Sequence, residues 1–255
     1  MKTNCVRELL AAGKRPVGHM IMEFGTRGIA KIVEAAGVDF VLIDGEHSGF
    51  DMGQIDDLLA WFKATRVAPF VRVPSSDYHF IARVMDAGAM GVMIPNVKSA
   101  AQAKAIVDAM RYAPDGDRGL GLGGSHNDFM PPNPREYMQA ANRNNMVICQ
   151  IESQQALDNI DAISATPGVD VLWVGHFDLT QSLGIVAEFH HEKFLNALKK
   201  VAAATQKNGQ AAGIQPGSLE QAREWMKIGF NLISYSADHS IYRAALQSAV
   251  SELRG

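Results

Sequence analysis

Short apolar runs of strand length recur along the chain, each followed by a turn and then by an amphipathic or alanine-rich stretch. The runs predict strands at Val17–Met22, Asp39–Asp44, Pro69–Val73, Gly91–Pro95, Met146–Glu152, Val169–Gly175, Gln210–Ile214 and Asn231–Tyr235. Between them Gly28–Ala36, Ile55–Ala64, Ala100–Met110, Phe194–Lys207 and Leu219–Ile228 read as helices. Gly37, Gly88, Gly209 and Gly229 stand in the turns that follow such stretches, where a glycine supplies the left-handed cap that ends a helix.

Strands that alternate with helices in this way, over a chain of 255 residues, predict a (β/α)8 TIM barrel. An open doubly wound sheet is the competing reading. It calls for a glycine-rich phosphate loop after the first strand, and Glu23-Phe24-Gly25-Thr26-Arg27-Gly28 lacks that pattern. No Gly/Ser linker or shift of composition divides the chain, so residues 1–255 are read as one domain. The irregular, glycine- and proline-rich segment from Tyr112 to Pro134 is long enough to be a functional loop. Its Gly119-Leu-Gly-Leu-Gly-Gly124 run has no following Lys-Ser/Thr pair, which favours a flexible active-site loop over a phosphate cradle.

In a barrel, the carboxyl ends of the strands converge on one face, where ligands bind. The apolar run Phe40-Val-Leu-Ile43 ends on Asp44-Gly45-Glu46-His47, and Phe70-Val71 ends on Arg72. The fifth run ends on Gln150-Ile151-Glu152, and the sixth on Gly175-His176-Phe177-Asp178. Two hard carboxylates, Glu152 and Asp178, suit Mg²⁺ or Mn²⁺, although each could instead cap the helix that follows it. His47, flanked by acids, is a candidate general base. Arg72, inside an apolar strand, requires an anion, either a structural carboxylate or a ligand. Asp86 reads simply as a surface acid in the last turn of a helix, and His190-His191 as solvated.

Composition narrows the classes. A formal charge of -3 provides no basic footprint for nucleic acid. No apolar stretch approaches the roughly 18 residues of a membrane span. The amino-terminal segment lacks an export signal, and of the two cysteines Cys149 lies in a buried run, so a cytoplasmic protein with free thiols is expected. The twelve methionines are scattered, as in core filling.

Several stretches together resemble the HpcH/HpaI aldolases, metal-dependent class II pyruvate aldolases of the phosphoenolpyruvate/pyruvate barrel superfamily. They are Gly37 to His47, Phe70-Val-Arg-Val73, Met85-Asp-Ala-Gly88, Arg111 to Gly119, Gln150-Ile-Glu152 and Gly168 to Gly175 with Asp178-Leu179. The resemblance spans nearly the whole chain and implies reversible cleavage of a 4-hydroxy-2-oxo acid into pyruvate and an aldehyde. It implies that Glu152 and Asp178 ligate a divalent cation (Mg²⁺, Mn²⁺ or Co²⁺), with no organic cofactor. It further implies that Arg72 stabilises the enolate, and that Gly175, Phe177 and Asp178 help to seat the substrate carboxylate. His47, near Asp44 and oriented by Asp86, would handle the aldol proton. Members of the family usually carry glycine-proline-alanine where this chain has Gly175-His176-Phe177, which makes the pocket shape an open question. The resemblance also implies a homohexamer, with a carboxy-terminal helix, here about 239–254, exchanged between subunits. Three rivals stand beside this reading: an acyl-CoA lyase of the citrate lyase beta type, a non-catalytic keto-acid-binding barrel, and a Schiff-base aldolase, for which Lys98 is the nearest lysine.

Overall fold

The computed structural model describes residues 1–255. Eight parallel strands close a barrel: β1 (Val17–Ile21), β2 (Phe40–Asp44), β3 (Ala68–Arg72), β4 (Gly91–Ile94), β5 (Met146–Ile151), β6 (Val171–Val174), β7 (Ala211–Ile214) and β8 (Leu232–Ala237), which pairs back onto β1. The helices are α1 (Cys5–Ala11), α2 (Ile29–Ala35), α3 (Met52–Phe62), α4 (Tyr78–Ala87), α5 (Ala100–Met110), α6 (Pro134–Asn144), α7 (Gln154–Asp158), α8 (Ile160–Ser164), α9 (His176–Ser182), α10 (Glu192–Lys207), α11 (Leu219–Ile228) and α12 (Asp238–Arg254). None is long and apolar enough to cross a membrane.

Strands β2 to β7 are buried along their whole length and are apolar except toward their carboxyl ends, because both of their faces are covered. Phe40, Leu42, Phe70, Met93, Ile148 and Trp173 fill the barrel interior, while the alternate positions Val41, Ile43, Val71, Val92 and Val147 pack outward against the helices. This period of two decides where the chemistry goes. Continuing the interior set by two residues along each strand leads from Leu42 to Asp44, from Phe70 to Arg72, and from Ile148 to Gln150 and Glu152.

Local chemistry explains where the elements differ from their predicted limits. Helix α3 begins at Met52 rather than Ile55, because Asp51 and Gln54 form a reciprocal capping box. The segment predicted to be irregular up to Pro134 gives way there to α6, with Pro134 in the first turn and Asn133 as its cap. Strand β8 runs on to Ala237 with a register shift against β1. Only Asp238 is buried in the seventeen-residue α12, which leaves Ile241, Tyr242, Leu246 and Leu253 exposed. Both cysteines are free, and Cys149 is buried.

Candidate active site

At the carboxyl end of the barrel, Asp44 and Arg72 are direct neighbours in the β2–β3 register. Arg72 donates from Nε to Asp44 Oδ1 and from Nη2 to Oδ2, each at 2.8 Å, a bidentate pair with both residues buried. Its remaining terminal nitrogen, Nη1, lies 3.2 Å from Glu46 Oε2. Burial opposes the Arg72 charge, but Asp44, Glu46 and Glu152 outweigh it and hold the guanidinium protonated more firmly than in water. Asp44 also accepts from the Glu46 peptide N–H at 3.0 Å, which ties down the turn after β2. The pair therefore presents the guanidinium edge to the cleft in a fixed orientation.

Glu152 ends the interior row of β5. Its Oε1 accepts from the Asn96 peptide N–H and its Oε2 from Gln150 Nε2, both at 2.6 Å. Burial, then the nearby Asp178 charge, pushes this carboxyl up to about 7. Glu46 is raised in the same direction by burial, against the pull of Arg72 and His47, with Asp178 among the acids that oppose its ionisation. Gly175 is required here by close approach, since a Cβ at this position would run into the Glu152 carboxylate and Gln150. Asp178 follows in the first turn of α9.

Asp44, Glu46 and Glu152 thus gather around one guanidinium, Asp178 stands close to Glu46 and Glu152, and Gln150 Oε1 is buried with no hydrogen-bond donor. An excess of hard oxygens, Asp44 and Glu152 buried and Asp178 at the open rim, with an orphaned acceptor among them fits a divalent cation reached from solvent. Glu152 and Asp178 would hold it. No group of three or more His, Cys, Asp or Glu side chains is placed to bind a metal unaided, which leaves coordination positions for water and substrate.

His47 stands at the rim with its side chain 60% exposed, Nε2 being 3.8 Å from Glu46 Oε2. Phe177 is exposed at the rim, and His176 packs against Phe177, Phe189 and Trp225, where burial lowers its pKa to about 4. A cleft of about 510 Å³ joins His47, Arg72, Gln150, Gly175, Phe177 and Asp178, a volume typical of small-molecule sites.

Two expectations are not met within the chain. Asp86 lies in the last turn of α4, half-exposed, where Arg118 Nη2 donates to its Oδ1 at 2.5 Å. Because α4 runs antiparallel to the strands, that turn sits toward the amino-terminal face of the barrel, away from His47. The glycine-rich loop does not line the cleft either. It runs along the outside of α4, with the Gly119 N–H on the Tyr78 hydroxyl and His126 Nδ1 at the Asp86 carbonyl. Sequence reasoning passed over Gln150 and the Asn96 N–H. Gln150 was detectable as the residue two before Glu152 and hence on the same face. Asn96, at φ 58°, is a non-glycine residue in the left-handed region that asparagine tolerates.

The sequence profile of the HpcH/HpaI aldolase/citrate lyase family matches residues 25–245. A hydroxypyruvate/pyruvate aldolase from Paraburkholderia phytofirmans is 36% identical over 94% of this chain and 94% of its own. A 5-keto-4-deoxy-D-glucarate aldolase from Shigella boydii is 33% identical over 85% of this chain and 84% of its own. The crystal structure of an HpcH/HpaI aldolase from Desulfitobacterium hafniense superposes with a TM-score of 0.93 at 31% identity, covering 98% of this chain and 96% of that one. The chain belongs to the HpcH/HpaI aldolase/citrate lyase family.

Proposed function

We propose that the protein is a cytosolic, divalent-metal-dependent aldolase that reversibly cleaves a 4-hydroxy-2-oxo acid into pyruvate and an aldehyde. The observation that carries this reading is the set of carboxylates at Glu46, Glu152 and Asp178, close to one another with the first two facing the guanidinium of Arg72, and with Gln150 Oε1 unsatisfied beside Glu152. Glu152 and Asp178 hold the cation (Mg²⁺, Mn²⁺ or Co²⁺), and no organic cofactor takes part. When bound, the cation neutralises negative charge that develops as the carbon–carbon bond breaks. Arg72, fixed by Asp44, donates to the C2 oxygen of the forming enolate. The peptide N–H groups of Phe177 and Asp178, beside the side-chain-free Gly175, receive the substrate carboxylate. His47 takes the proton from the aldol hydroxyl, directly or through one water, and returns it in the condensation direction.

The rival readings lack support in the cleft. Arg72 is its only lysine or arginine, so a Schiff base has no amine to form on, and nucleotide phosphates of an acyl-CoA have no cationic wall. A keto-acid-binding barrel without catalysis is separated by turnover. Pyruvate mixed with a panel of aldehydes and Mg²⁺ or Mn²⁺, followed by mass spectrometry, is expected to yield 4-hydroxy-2-oxo acids, and excess chelator to abolish them. Binding of pyruvate and metal with no product would favour the sensor.

The same reading includes a homo-oligomer, a hexamer in which α12 is exchanged. The unburied apolar positions Ile241, Tyr242 and Leu246 support it. So does Asp86, which can orient His47 only if another copy brings it there. Light scattering is expected to report six copies, and a fully active monomer would contradict this arrangement and the role of Asp86 together.

A further inference from the structure

Beside the carboxylate wall, the cleft has a second wall made by the ends of β7 and β8 and the start of α12, carrying Gln215, Ser236, His239 and Ser240. We infer that this wall is the subsite for the aldehyde partner, and that it selects a small, uncharged hydroxyaldehyde through His239 and Gln215. The inference rests on the aldolase reading and names its second substrate class.

The wall is built with care that a mere barrel rim does not need. Between Gly18 and Met20 the β1–β8 register shifts, and Ser236 is held at φ 53°. Bulges and left-handed non-glycine residues of this kind re-aim side chains next to active sites. The distortion is fastened on both sides. The Ser236 N–H donates to the Pro216 carbonyl, and Gln215 Nε2 donates to the Ser236 carbonyl, both at 3.1 Å. Asp238, with its side chain 1% exposed, accepts from the peptide N–H groups of Met22, Glu23 and Phe24 in the loop after β1 and from that of His239. That carboxylate staples the start of α12 to the opposite side of the β1–β8 seam.

The staple also sets His239. Its Nδ1 lies 3.4 Å from Asp238 Oδ1 while the ring lines the cleft, and a neutral imidazole carries one acceptor nitrogen. Gln215 has its Nε2 committed to Ser236, so its carbonyl oxygen is likewise left to accept. The wall therefore offers acceptors matched to a hydroxyl donor. Charge points the same way. The second wall carries no lysine or arginine to pair with an anionic aldehyde, and the cleft's one guanidinium is held by Asp44 and Glu46 and assigned to the enolate oxygen.

The test is condensation with pyruvate by the Mn²⁺-loaded protein, comparing three aldehydes of similar size: glycolaldehyde, propanal and glyoxylate. Glycolaldehyde should exceed each of the others in kcat/KM by about tenfold or more, the scale of one or two satisfied hydrogen bonds. His239→Leu should raise the KM for glycolaldehyde and bring the glycolaldehyde/propanal ratio to within about threefold, with Gln215→Leu lowering the same ratio as an independent variant. Glyoxylate equal to or better than glycolaldehyde, or a ratio unchanged in both variants, would overturn the inference. Oxaloacetate decarboxylation by the unaltered protein uses no aldehyde and separates the two levels. If it proceeds while the aldehydes are not discriminated, the subsite alone is wrong; if it is absent with Mn²⁺ bound, the aldolase reading and the subsite fall together.

Discussion

Arg72→Lys is expected to slow aldol cleavage and oxaloacetate decarboxylation alike, by about 10²-fold or more, the scale of a lost oxyanion donor. Both reactions pass through the same enolate, so a group that acts on its oxygen must affect both. A lysine keeps the charge but cannot reproduce the fork that meets Asp44 Oδ1 and Oδ2 at 2.8 Å while reaching Glu46 at 3.2 Å. The buried Asp44 would lose at least one of its two donors, so the melting temperature should fall as well. Loss of stability alone does not settle the role of Arg72, because the pair is structural and functional at once. Turnover per folded molecule does: a destabilised variant with near-normal turnover would remove Arg72 from the reaction and leave the cation to stabilise the enolate unaided. Affinity for Mn²⁺, read by calorimetry, should barely change.

Glu152→Gln should be as damaging to turnover, by more than about 10²-fold, through loss of the cation that it holds. Its effect on stability should run the other way. In the metal-free protein the Glu152 carboxyl is raised to about 7, by burial and then by Asp178. A folded-state pKa above the unfolded value means that the folded chain binds the proton more tightly. The penalty for ionising Glu152 is then absent at low pH, grows as pH rises from the unfolded pKa of about 4.3 towards 7, and stays constant above that. Glutamine removes the penalty. The chelated variant should therefore be at least as stable as the chelated parent above pH 7 and should show a flatter stability–pH curve. Proton and cation compete for the same carboxylate, so the affinity of the parent for Mn²⁺ should weaken as pH falls through 7. Ser153, not Glu152, caps the following helix, so the remaining alternative is that Glu152 only anchors the Asn96 N–H and Gln150. The substitution would then cost about 1 kcal/mol of stability and spare catalysis.

Much of this was legible in the sequence because a barrel repeats one simple rule. Alternation fixes which strand residues face inward, so Asp44, Arg72, Gln150 and Glu152 could be assigned to one face before any coordinates. The apolar runs located all eight strands, while their ends moved by a residue or two where caps and bulges, not hydropathy, decide. What stayed hidden depends on distance in space. That Asp44 would bind Arg72 rather than His47 follows from the β2–β3 register, which no local pattern encodes. The short helices α7, α8 and α9 are too brief to show a helical period. Asp86 illustrates the limit most clearly. Its surroundings in the sequence match the family, yet the fold of one chain carries it away from the histidine that it is expected to serve. The glycine-rich loop shares that fate, since composition signals a loop and says nothing of which face it crosses.

The central claim is that a cation held by Glu152 and Asp178, together with Arg72, stabilises the enolate of pyruvate. Exchange of the pyruvate methyl protons in D₂O, followed by NMR, reads enolate formation without any aldehyde. The account predicts exchange with Mg²⁺, loss of exchange in excess chelator, recovery when Mg²⁺ is restored, and slow exchange in Arg72→Lys even with saturating metal. Unabated exchange in excess chelator, with borohydride trapping pyruvate on a lysine of the chain, would contradict it.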